Sequence, residues 1–424
     1  MNCEESTRKR ISLGQLKPGM YVVELDRAWI HTPFLFHSKQ IKDVRDIELF
    51  AKYGIREVVI DTQLGGDAEV VDALHEPALE RHENTLSGAA TVARLQHNDL
   101  LQPLLREWTV ARGIHQEALA TAQNVFDGVG RGAALNSPAA KHTVTSLLGS
   151  VTRSPEANLL LTQMRRFQND LFTHAVNVCV LSVVVGIMAG FADQVSELGL
   201  GALLHDVGQV RLPRNLIRKN EHFTDQERRL LEQHPVLGGA ILEQAENISL
   251  AAHHIVVEHH ERLNGTGYPL KAGGRTMSAL SQIVAITDAY DAMITGRNGV
   301  LQTPIDVLRQ LYLEAHAGAF DRDLVEKVIR ALGVYPVGSL VELSTGEQGI
   351  VLAANRTDTL KPTVRLVATR EGLPLSKGPI VSLEEAESVA IGRKILRTLD
   401  PGKERVDIMR HLNLGTGLSG KWNC

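Results

Sequence analysis

Apolar residues that recur at the spacing of α-helices dominate the middle of the chain. The pattern covers residues 100–129 and returns between residues 198 and 332, which predicts amphipathic helices packed on one another. Between these stretches, Ala175–Ala192 is almost wholly apolar and is long enough to suggest a membrane span. Because Asn177 and Ser182 interrupt it, we predict instead the buried central helix of an all-α bundle, with no membrane insertion.

Capping residues mark where several of these helices begin. Pro138 follows a serine and is well placed as the first residue of a helix. Thr224 and Glu227 have the spacing of a capping box, which predicts the head of the helix that delivers His234. Ser278 precedes a long apolar stretch and predicts the beginning of another helix.

Patterns typical of β-strands occur toward both ends of the chain. Tyr21–Leu25 and Val58–Ile60 flank Ser38–Tyr53, which has helical spacing, so we predict a small α/β unit. After Pro336, three runs rich in β-branched residues predict a β-appendage. These runs are Gly338–Leu343, Gly349–Leu352 and Thr363–Val367. Glycines punctuate Asp400–Cys424, and we expect a loose tail there.

These patterns predict a mainly α fold class and four segments. We expect a small N-terminal α/β domain at 1–65, a linker with connecting helices at 66–150, a helical bundle at 151–335 and a β-appendage with a tail at 336–424. Three roles remain open for the connecting helices. They transmit a signal, pair with a second copy of the chain in a homodimer, or cap the bundle.

Composition narrows the possible functions. The chain has 424 residues, of which 43% are hydrophobic and 22% charged, as in ordinary soluble proteins. Its formal net charge of −4 argues against binding a nucleic acid polymer, which usually requires a basic excess. The three cysteines suggest no disulfide framework, and Met1–Arg10 is polar rather than signal-like. We therefore expect a cytoplasmic protein.

The candidate chemistry lies in a set of histidines and aspartates within the predicted bundle. Imidazole and carboxylate together form the ligand set of a hydrolytic transition-metal site. The set is His174, His205, Asp206, His234, His259, His260 and Asp288, with Asp170 one helical turn before His174. It is too large for one ion, whereas two ions that share a carboxylate would use it fully. Because neighbouring residues diverge on a helix, we expect the adjacent pairs to lie near helix ends.

Asp206 is the natural bridge of such a pair, since one carboxylate can give one oxygen to each ion. His174, His205 and Asp288 would then complete one ion's ligands. The other ion's ligands would be completed by His234, His259 and His260. Asp170 is either a further ligand that faces the same cavity as His174 or a helix-capping residue, and the sequence leaves this open.

The order of these motifs resembles a known family. His205-Asp206, then His259-His260-Glu261, then Asn264–Pro269 are similar to the HD-GYP branch of the HD phosphohydrolases. The resemblance extends from about Leu159 to Leu332 and implies an all-helical HD-type bundle. The phrases at 16–22 and 33–36 resemble an uncharacterised domain that often precedes HD-GYP domains.

The resemblance also implies an activity. Members hydrolyse the bacterial messenger cyclic di-GMP to pGpG, and in some cases on to GMP, with metal-activated water at a dinuclear or trinuclear site. It implies the same division of the ligands between two ions. It favours iron or manganese as the divalent metal. It also implies that signalling proteins such as GGDEF-domain proteins bind the segment Asn264–Pro269, the Gly-Tyr-Pro loop.

The residues matched to the family's functional positions can be grouped by role. The catalytic group is His205, Asp206 and Gln209. The expected substrate contacts are Arg297, which would face the phosphates, and the loop residues Asn264, Gly265, Gly267, Tyr268 and Pro269. Asp291 and Glu261 are expected to orient ligands or the turn rather than to bind metal, and His253 and His254 match no family position.

Three departures from the family pattern support an alternative function. Gln209 stands where the family usually has Lys, Asn264 where the motif opens with Asp, and Gln282 where an Arg is usual. Each lost charge-assisted contact to phosphate would remove about 1.5–3 kcal/mol. The alternative is thus a catalytically weak or inert HD-GYP domain that acts as a cyclic di-GMP sensor or a protein-interaction module. Hydrolysis of another phosphoester is a third hypothesis.

Overall fold

The computed structural model describes most of the chain. The described residues are 8–26, 39–41, 43–52, 55–66, 89–164, 170–217, 219, 223–271, 277–297, 302–355, 358–376, 378–412 and 414. They fall into two compact units, Met1–Ala93 and Arg94–Cys424. The family-like phrase at 33–36, most of the predicted linker and the end of the tail lie outside the described residues.

A small antiparallel sheet forms the first unit. Its elements are β1 (Arg8–Ser12), β2 (Tyr21–Leu25), β3 (Lys39–Gln40), α1 (Val44–Lys52) and β4 (Glu57–Asp61). The strand order is β1-β4-β2-β3, with antiparallel pairing throughout. Val22, Phe50 and Ile60 are fully buried, so apolar residues of two strands and of the helix contribute to the core of this unit.

The helix predicted at Ser38–Tyr53 begins later than expected. Lys39–Gln40 instead pair with β2 as a strand, and α1 begins at Val44. The cause is Asp43, whose Oδ1 accepts hydrogen bonds from the main-chain N–H groups of Arg45 at 2.8 Å and Asp46 at 3.3 Å. Such a carboxylate satisfies the free N–H groups of a first turn and fixes the beginning of the helix.

From Ala89 onward the chain is mostly helical. The helices are α2 (Ala89–Gly130), α3 (Ser137–Arg153), α4 (Pro155–Met164), α5 (Leu171–Met188), α6 (Val195–Leu204), α7 (Arg214–Ile217), α8 (Asp225–Leu231), α9 (His234–Glu243), α10 (Leu250–Glu258), α11 (Ala279–Ile294), α12 (Pro304–His316), α13 (Arg322–Leu332), α14 (Ala386–Ala390) and α15 (Ile408–Leu412). Pro138 lies in the first turn of α3, and Ser278 caps α11, as predicted.

The apolar helix α5 is the centre of the bundle. It packs against α3, α4, α6, α11 and α13. Among the described residues it is the one helix long and apolar enough to cross a membrane, and 78% of it is buried inside the protein. A helix surrounded by other helices is apolar on every side, as the sequence predicts for this segment.

The capping box at Thr224 heads a shorter helix than predicted. Thr224 Oγ1 accepts from the N–H of Glu227 at 3.3 Å, and Glu227 Oε2 accepts from the N–H of Thr224 at 2.8 Å. However, α8 ends at Leu231, and His234 is the first residue of the separate helix α9. Pro235 lies in the first turn of α9, where a residue without an N–H is tolerated, whereas inside a longer helix it would break a hydrogen bond.

A second antiparallel sheet follows the bundle. Its strands are β5 (Leu340–Leu343), β6 (Gln348–Ala353), β7 (Thr363–Ala368), β8 (Ile380–Ser382) and β9 (Ile395–Leu399), in the order β8-β7-β6-β5-β9. The sheet shares a hydrophobic core with α2 and α4. Leu412 of α15 is fully buried in that core, so the expectation of a loose tail is wrong for residues 400–412.

The fold class predicted from the sequence is confirmed. The chain is mainly α, with an antiparallel sheet before the helical bundle and another after it. The order of elements follows the order of hydrophobic periodicities along the sequence: period two, then helical spacing, then period two again.

Candidate metal centre

Three of the candidate ligand histidines lie at helix ends. His205 closes α6, His259 closes α10, and His234 is the first residue of α9. The last carbonyl groups of a helix have no partner inside it, so they can accept hydrogen bonds from a histidine ring. The pairs His205-Asp206 and His259-His260 thus lie at helix ends, as expected.

Each of these three rings directs Nδ1 to a main-chain carbonyl three residues earlier. The distances are 2.7 Å from His205 to Ala202, 2.8 Å from His234 to Leu231 and 2.8 Å from His259 to Val256. Because a carbonyl oxygen only accepts, Nδ1 carries the proton and Nε2 keeps its lone pair. Nε2 of His234 lies 3.1 Å from Nε2 of His259, so two lone pairs converge where a cation would hold both.

Seven of the predicted ligands form two groups. Within each group the potential ligand atoms lie within 4.8 Å of one another. The groups are His174, His205 and Asp288, and Asp206, His234, His259 and His260. Every member is buried except His260, which is partly exposed. The sequence-based expectation separates the same histidines, with Asp206 as a bridge, and the assignment of ions to these groups stays a prediction.

Asp206 lies between the two groups. Its Oδ1 is 3.2 Å from His234 Nε2, and its Oδ2 is 3.5 Å from His205 Nε2. Each carboxylate oxygen therefore faces a different set of imidazole nitrogens. Nitrogen and oxygen donors that converge in this way fit a pair of transition-metal ions with Asp206 as the shared ligand.

His174 is held differently from the histidines at helix ends. Its Nε2 lies 2.9 Å from Asp288 Oδ1, and its Nδ1 lies 2.7 Å from Asp291 Oδ2. Asn177 Nδ2 donates to the other oxygen of Asp291 at 3.0 Å. Asp291 therefore contacts a ligand from behind, as expected. The sequence reasoning treated Asn177 only as a polar residue in an apolar run, although its place three residues after His174 was visible.

Burial controls the protonation of the histidines. Burial, followed by the charges of neighbouring histidines, lowers the pKa of His259 to about 3. It also lowers the pKa of His205 and of His260. These rings are neutral near pH 7, and the neutral ring is the form that binds a metal ion.

Neighbouring charges and hydrogen bonds counteract the effect of burial on the pKa values of Asp206 and His174. Burial raises the pKa of Asp206, but His205 and the hydrogen bond to His234 outweigh it and hold that pKa well below its usual range. Burial and Arg297 lower the pKa of His174, but its hydrogen bonds to Asp288 and Asp291 raise it to about 9. A metal ion that binds His174 displaces this proton.

The Gly-Tyr-Pro loop packs directly on the second histidine pair. The ring of Tyr268 stacks on His260, with centroids 4.6 Å apart and an interplanar angle of 28°. A Cβ at Gly267 would collide with the carbonyl oxygen of His260, so only glycine permits this close passage. Glu261 Oε1 accepts from the N–H groups of residues 270 and 271 at 2.6 and 3.0 Å and ties the loop to the histidine turn.

The beginning of the loop is stabilised by its own residues. Asn264 Oδ1 accepts from the N–H of Thr266 at 3.1 Å and from its hydroxyl at 2.7 Å. Gly265 has a φ of 74°, which glycine adopts without strain. Pro269 follows Tyr268 through a cis peptide bond. Asn264 is exposed, so in this structure its side chain shapes the turn.

Arg297 joins the site from the end of α11. Its Nη2 lies 3.5 Å from Asp206 Oδ2, and 20% of its side chain is exposed. The guanidinium group therefore lies between the bridging carboxylate and solvent. An anion that approaches the two groups of ligands would meet this positive charge.

Three further candidates, Asp170, His253 and His254, lie outside the two groups of potential ligands. Asp170 Oδ1 accepts from the N–H groups of Phe172 and Thr173, and its Oδ2 accepts from the Thr173 hydroxyl. Both oxygens thus cap α5, which favours the capping alternative over a ligand for a third ion. His253 and His254 also lie outside the groups found among the described residues.

The two glutamines that replace family bases differ in their surroundings. Gln209 is buried in the 3-10 turn Val207–Arg211 that follows Asp206. Gln282 Oε1 accepts from the N–H of Asp321 at 3.2 Å, so it is engaged at the beginning of α13. Neither residue carries a charge that could hold a phosphate.

Three protein families match successive parts of the chain. Residues 191–324, which contain most of these ligands, match the HD domain. This segment of the chain is therefore similar to HD domains. Residues 8–140 match a domain of unknown function (DUF3391), and residues 340–398 match a KOW domain associated with the HD domain.

Curated relatives are similar over different lengths. A cyclic di-GMP phosphodiesterase of Pseudomonas aeruginosa is 29% identical over 87% of this chain and 87% of its own. A cyclic di-GMP phosphodiesterase of Borreliella burgdorferi is 24% identical over 51% of this chain and 55% of its own. A 3′3′-cGAMP-specific phosphodiesterase of Vibrio cholerae is 27% identical over 35% of this chain and 28% of its own.

Proposed function

We propose that this chain is a metal-dependent phosphodiesterase of the HD-GYP type, which hydrolyses cyclic di-GMP with water activated at a pair of divalent transition-metal ions. The position of Asp206 carries the proposal, because its two oxygens lie 3.2 and 3.5 Å from nitrogens of different ligand groups. The similarity to the Pseudomonas aeruginosa enzyme over 87% of both chains supports cyclic di-GMP as the substrate.

Two bound ions would lower the pKa of a water molecule and neutralise charge on the phosphoryl oxygens. The chain's own residues prepare this site. The main-chain carbonyls behind His205, His234 and His259 fix the ring orientations. Arg297 presents a cation next to Asp206 at the solvent side, where it would bind the phosphate that is cleaved.

The number and identity of the ions belong to the proposal. Two groups of ligands support two ions, and the capping role of Asp170 argues against it as a ligand for a third. Histidine with carboxylate suits iron, manganese, zinc, nickel or cobalt, and the family resemblance favours iron or manganese among them. Cleavage of one phosphodiester bond opens the ring to pGpG, and cleavage of the second gives GMP.

The test measures metal content and turnover on one anaerobically purified sample, with His205→Ala/Asp206→Ala as the control. Cyclic di-GMP and 3′3′-cGAMP are supplied separately, and products are separated by chromatography. We expect two ions per chain and pGpG formation that the control lacks. Preferential cleavage of 3′3′-cGAMP would identify that dinucleotide, rather than cyclic di-GMP, as the substrate. A chain without bound metal would overturn the proposal.

A catalytically weak domain that senses cyclic di-GMP is the second candidate, because Gln209 and Gln282 leave two phosphate-binding charges absent. Gln209→Lys discriminates between the two. If Lys at this position contacts phosphate, turnover should rise by about 10-fold or more, since one charge-assisted contact contributes about 1.5–3 kcal/mol. Cyclic di-GMP binding without turnover in both proteins would favour the sensor. The matched control is Gln310→Lys on the exposed side of α12.

The remaining proposals concern context. We propose that a GGDEF-domain protein binds the Gly-Tyr-Pro loop. We also propose that the chain forms a homodimer and is located in the cytoplasm. Light scattering of the purified chain tests the homodimer. Co-purification of a GGDEF-domain protein with the wild type and with Asn264→Ala tests the loop contact, and fractionation of expressing cells tests the location.

A further inference from the structure

His174 lies in a different structural setting from the other buried ligand histidines. It belongs to the first turns of α5 (Leu171–Met188) rather than to a helix end. The carbonyl three residues earlier, that of Leu171, accepts a hydrogen bond within the helix. A histidine inside a helix therefore needs an acceptor from another element to fix its Nδ1 proton.

Asp291 of α11 supplies this acceptor. Its Oδ2 accepts from His174 Nδ1 at 2.7 Å, and its side chain is almost completely buried. A buried carboxylate must have both oxygens satisfied to remain charged and in one orientation. The second oxygen accepts from Asn177 Nδ2 at 3.0 Å. Asn177 therefore connects Asp291 to α5 a second time, at a position three residues after His174.

The surroundings of Asn177 point to a role for its amino group. Its side chain is 1% exposed, and its Oδ1 has no hydrogen-bond partner in the part of the chain that the structure describes. A buried amide oxygen without a partner destabilises a core. Leucine of similar volume would fill the same space without that penalty, so the N–H donated to Asp291 is the favourable contact of this side chain.

We propose that Asn177 is a positioning residue for the metal site that contains His174, acting through Asp291. Its N–H holds Asp291 in the orientation that accepts the hydrogen bond from His174 Nδ1. His174 Nε2 then faces Asp288 and His205, where an ion can take the place of its proton. The inference rests on the proposed metal pair. It assigns Asn177 to one ion, because the rings of His234 and His259 are oriented by main-chain carbonyls instead.

The same two helices provide a matched control. Ser182 of α5 and Thr287 of α11 share a buried hydrogen bond of 2.7 Å. Ser182→Ala removes one buried contact between α5 and α11 without touching Asp291. Asn177→Leu likewise removes one contact between these helices, but it also releases the carboxylate behind His174. A merely structural role would make the two variants alike.

Cobalt(II) binding tests the proposal without relying on turnover. Metal-free full-length protein is titrated with cobalt against a chelator, and the visible absorption of bound cobalt is followed. His234→Ala serves as a background that weakens the other group and isolates the His174 group. We expect Asn177→Leu to lower cobalt affinity about 10- to 100-fold in that background. Ser182→Ala should leave it unchanged.

The outcomes separate this inference from the proposed function. If the wild type binds no cobalt, the proposed metal pair itself is wrong. A wild type with two bound ions, and an Asn177→Leu variant with the same two affinities, would overturn only the positioning role. Equal weakening of both ions, together with a lower melting temperature than that of Ser182→Ala, would also overturn it. If Asn177→Leu fails to fold, Asn177→Ala makes the same comparison.

Discussion

Arg297 is a partly exposed positive side chain whose Nη2 lies 3.5 Å from Oδ2 of the buried Asp206 carboxylate. We predict that Arg297→Ala lowers kcat/KM for cyclic di-GMP by about 10- to 150-fold, which corresponds to one charge-assisted phosphate contact of about 1.5–3 kcal/mol. The bound metal should remain, because the arginine contacts the site from outside the ligand groups. Steady-state kinetics and metal analysis on the same preparation check both statements.

An exposed arginine provides the control for that prediction. Arg322 lies at the beginning of α13 and is exposed, and Arg322→Ala should leave kcat/KM unchanged. Loss of metal from Arg297→Ala would instead indicate that the arginine stabilises the ligand arrangement. An unchanged kcat/KM in Arg297→Ala would mean that Arg297 does not contact the substrate.

At the scale of residues, chemistry with a local sequence signal was predictable. The adjacent pairs His205-Asp206 and His259-His260 mark helix ends. The division of the ligands between two ions came from the requirement for a shared carboxylate and from the family resemblance, because sequence order alone does not separate the two sets. The contact of Asn177 with Asp291 was not predictable. It joins residues 114 positions apart, and an asparagine in an apolar helix is equally typical of an ordinary buried polar residue.

Among the elements, Gly208 controls the distance between the turn after α6 and the beginning of α9. A Cβ at this position would collide with the carbonyl oxygen of His234. We predict that Gly208→Ala displaces α9 and weakens the ion held by His234, His259 and His260, while the ion of the His174 group is retained more firmly. Metal content after dialysis against a weak chelator should fall from two ions toward one.

A glycine in open space supplies the comparison for Gly208. A Cβ added at Gly128 of α2 would meet no atom within 4 Å, so Gly128→Ala should keep both ions. It should also stabilise the helix by about 0.5–1 kcal/mol. Two firmly bound ions in Gly208→Ala would mean that α9 adjusts without moving His234.

An ion pair links α2 to α3. Glu107 is buried, and Arg153 donates to its two carboxylate oxygens at 2.8 Å each. The hydrogen bond from Arg153 holds the pKa of Glu107 below its ordinary 4.5, against the opposing effect of burial. A lowered folded-state pKa contributes stability above the unfolded pKa, and that contribution is lost as pH falls through the folded pKa.

We therefore predict that Glu107→Gln lowers the free energy of unfolding near neutral pH by about 1–3 kcal/mol. The difference from wild type should shrink as the pH falls below about 4.5. Urea unfolding at several pH values measures this. Glu326→Gln, in the more exposed pair with Arg330, should change stability by less than about 0.5 kcal/mol. A pH-independent difference for Glu107→Gln would show that packing rather than charge dominates.

The elements themselves were predictable where a periodic pattern met a capping residue. Ser278 and Pro138 located the beginnings of α11 and α3. The short strands β8 and β9 were missed. β8 has three half-buried residues, and β9 has one buried residue followed by two exposed and two half-buried ones, so neither shows the alternation that marks a strand. Their pairing with β7 and β5 is what makes them strands.

At the scale of the whole molecule, the compact units suggest which segments fold independently. The boundary lies near Ala93, whereas the match to the domain of unknown function extends to residue 140. We predict that deletion of residues 1–88, which keeps the whole of α2, leaves cooperative unfolding, two bound ions and turnover intact. Loss of soluble protein on this deletion would mean that the first unit is needed to fold the second.

The C-terminal sheet should behave in the opposite way, because it completes a core rather than forming one alone. Ile350, Leu352 and Val367 are buried against α2 and α4, together with Trp108 and Leu160 from those helices. Deletion of residues 336–424 would expose this face. Since each large side chain that loses its cover contributes about 1.5–3 kcal/mol, the loss from Leu104, Trp108, Leu160 and Leu161 together is comparable to the net stability of an ordinary domain, about 5–15 kcal/mol.

We therefore predict that the chain ending at residue 335 loses its near-ultraviolet circular dichroism and its cooperative unfolding. It should also lose tightly bound metal, because α4 packs on α5, which carries His174. The deletion of residues 1–88 is the matched comparison, since it removes a segment of similar length from the other end. A folded, metal-loaded protein without residues 336–424 would mean that the sheet is a separate module and that the bundle alone holds the ligands in place.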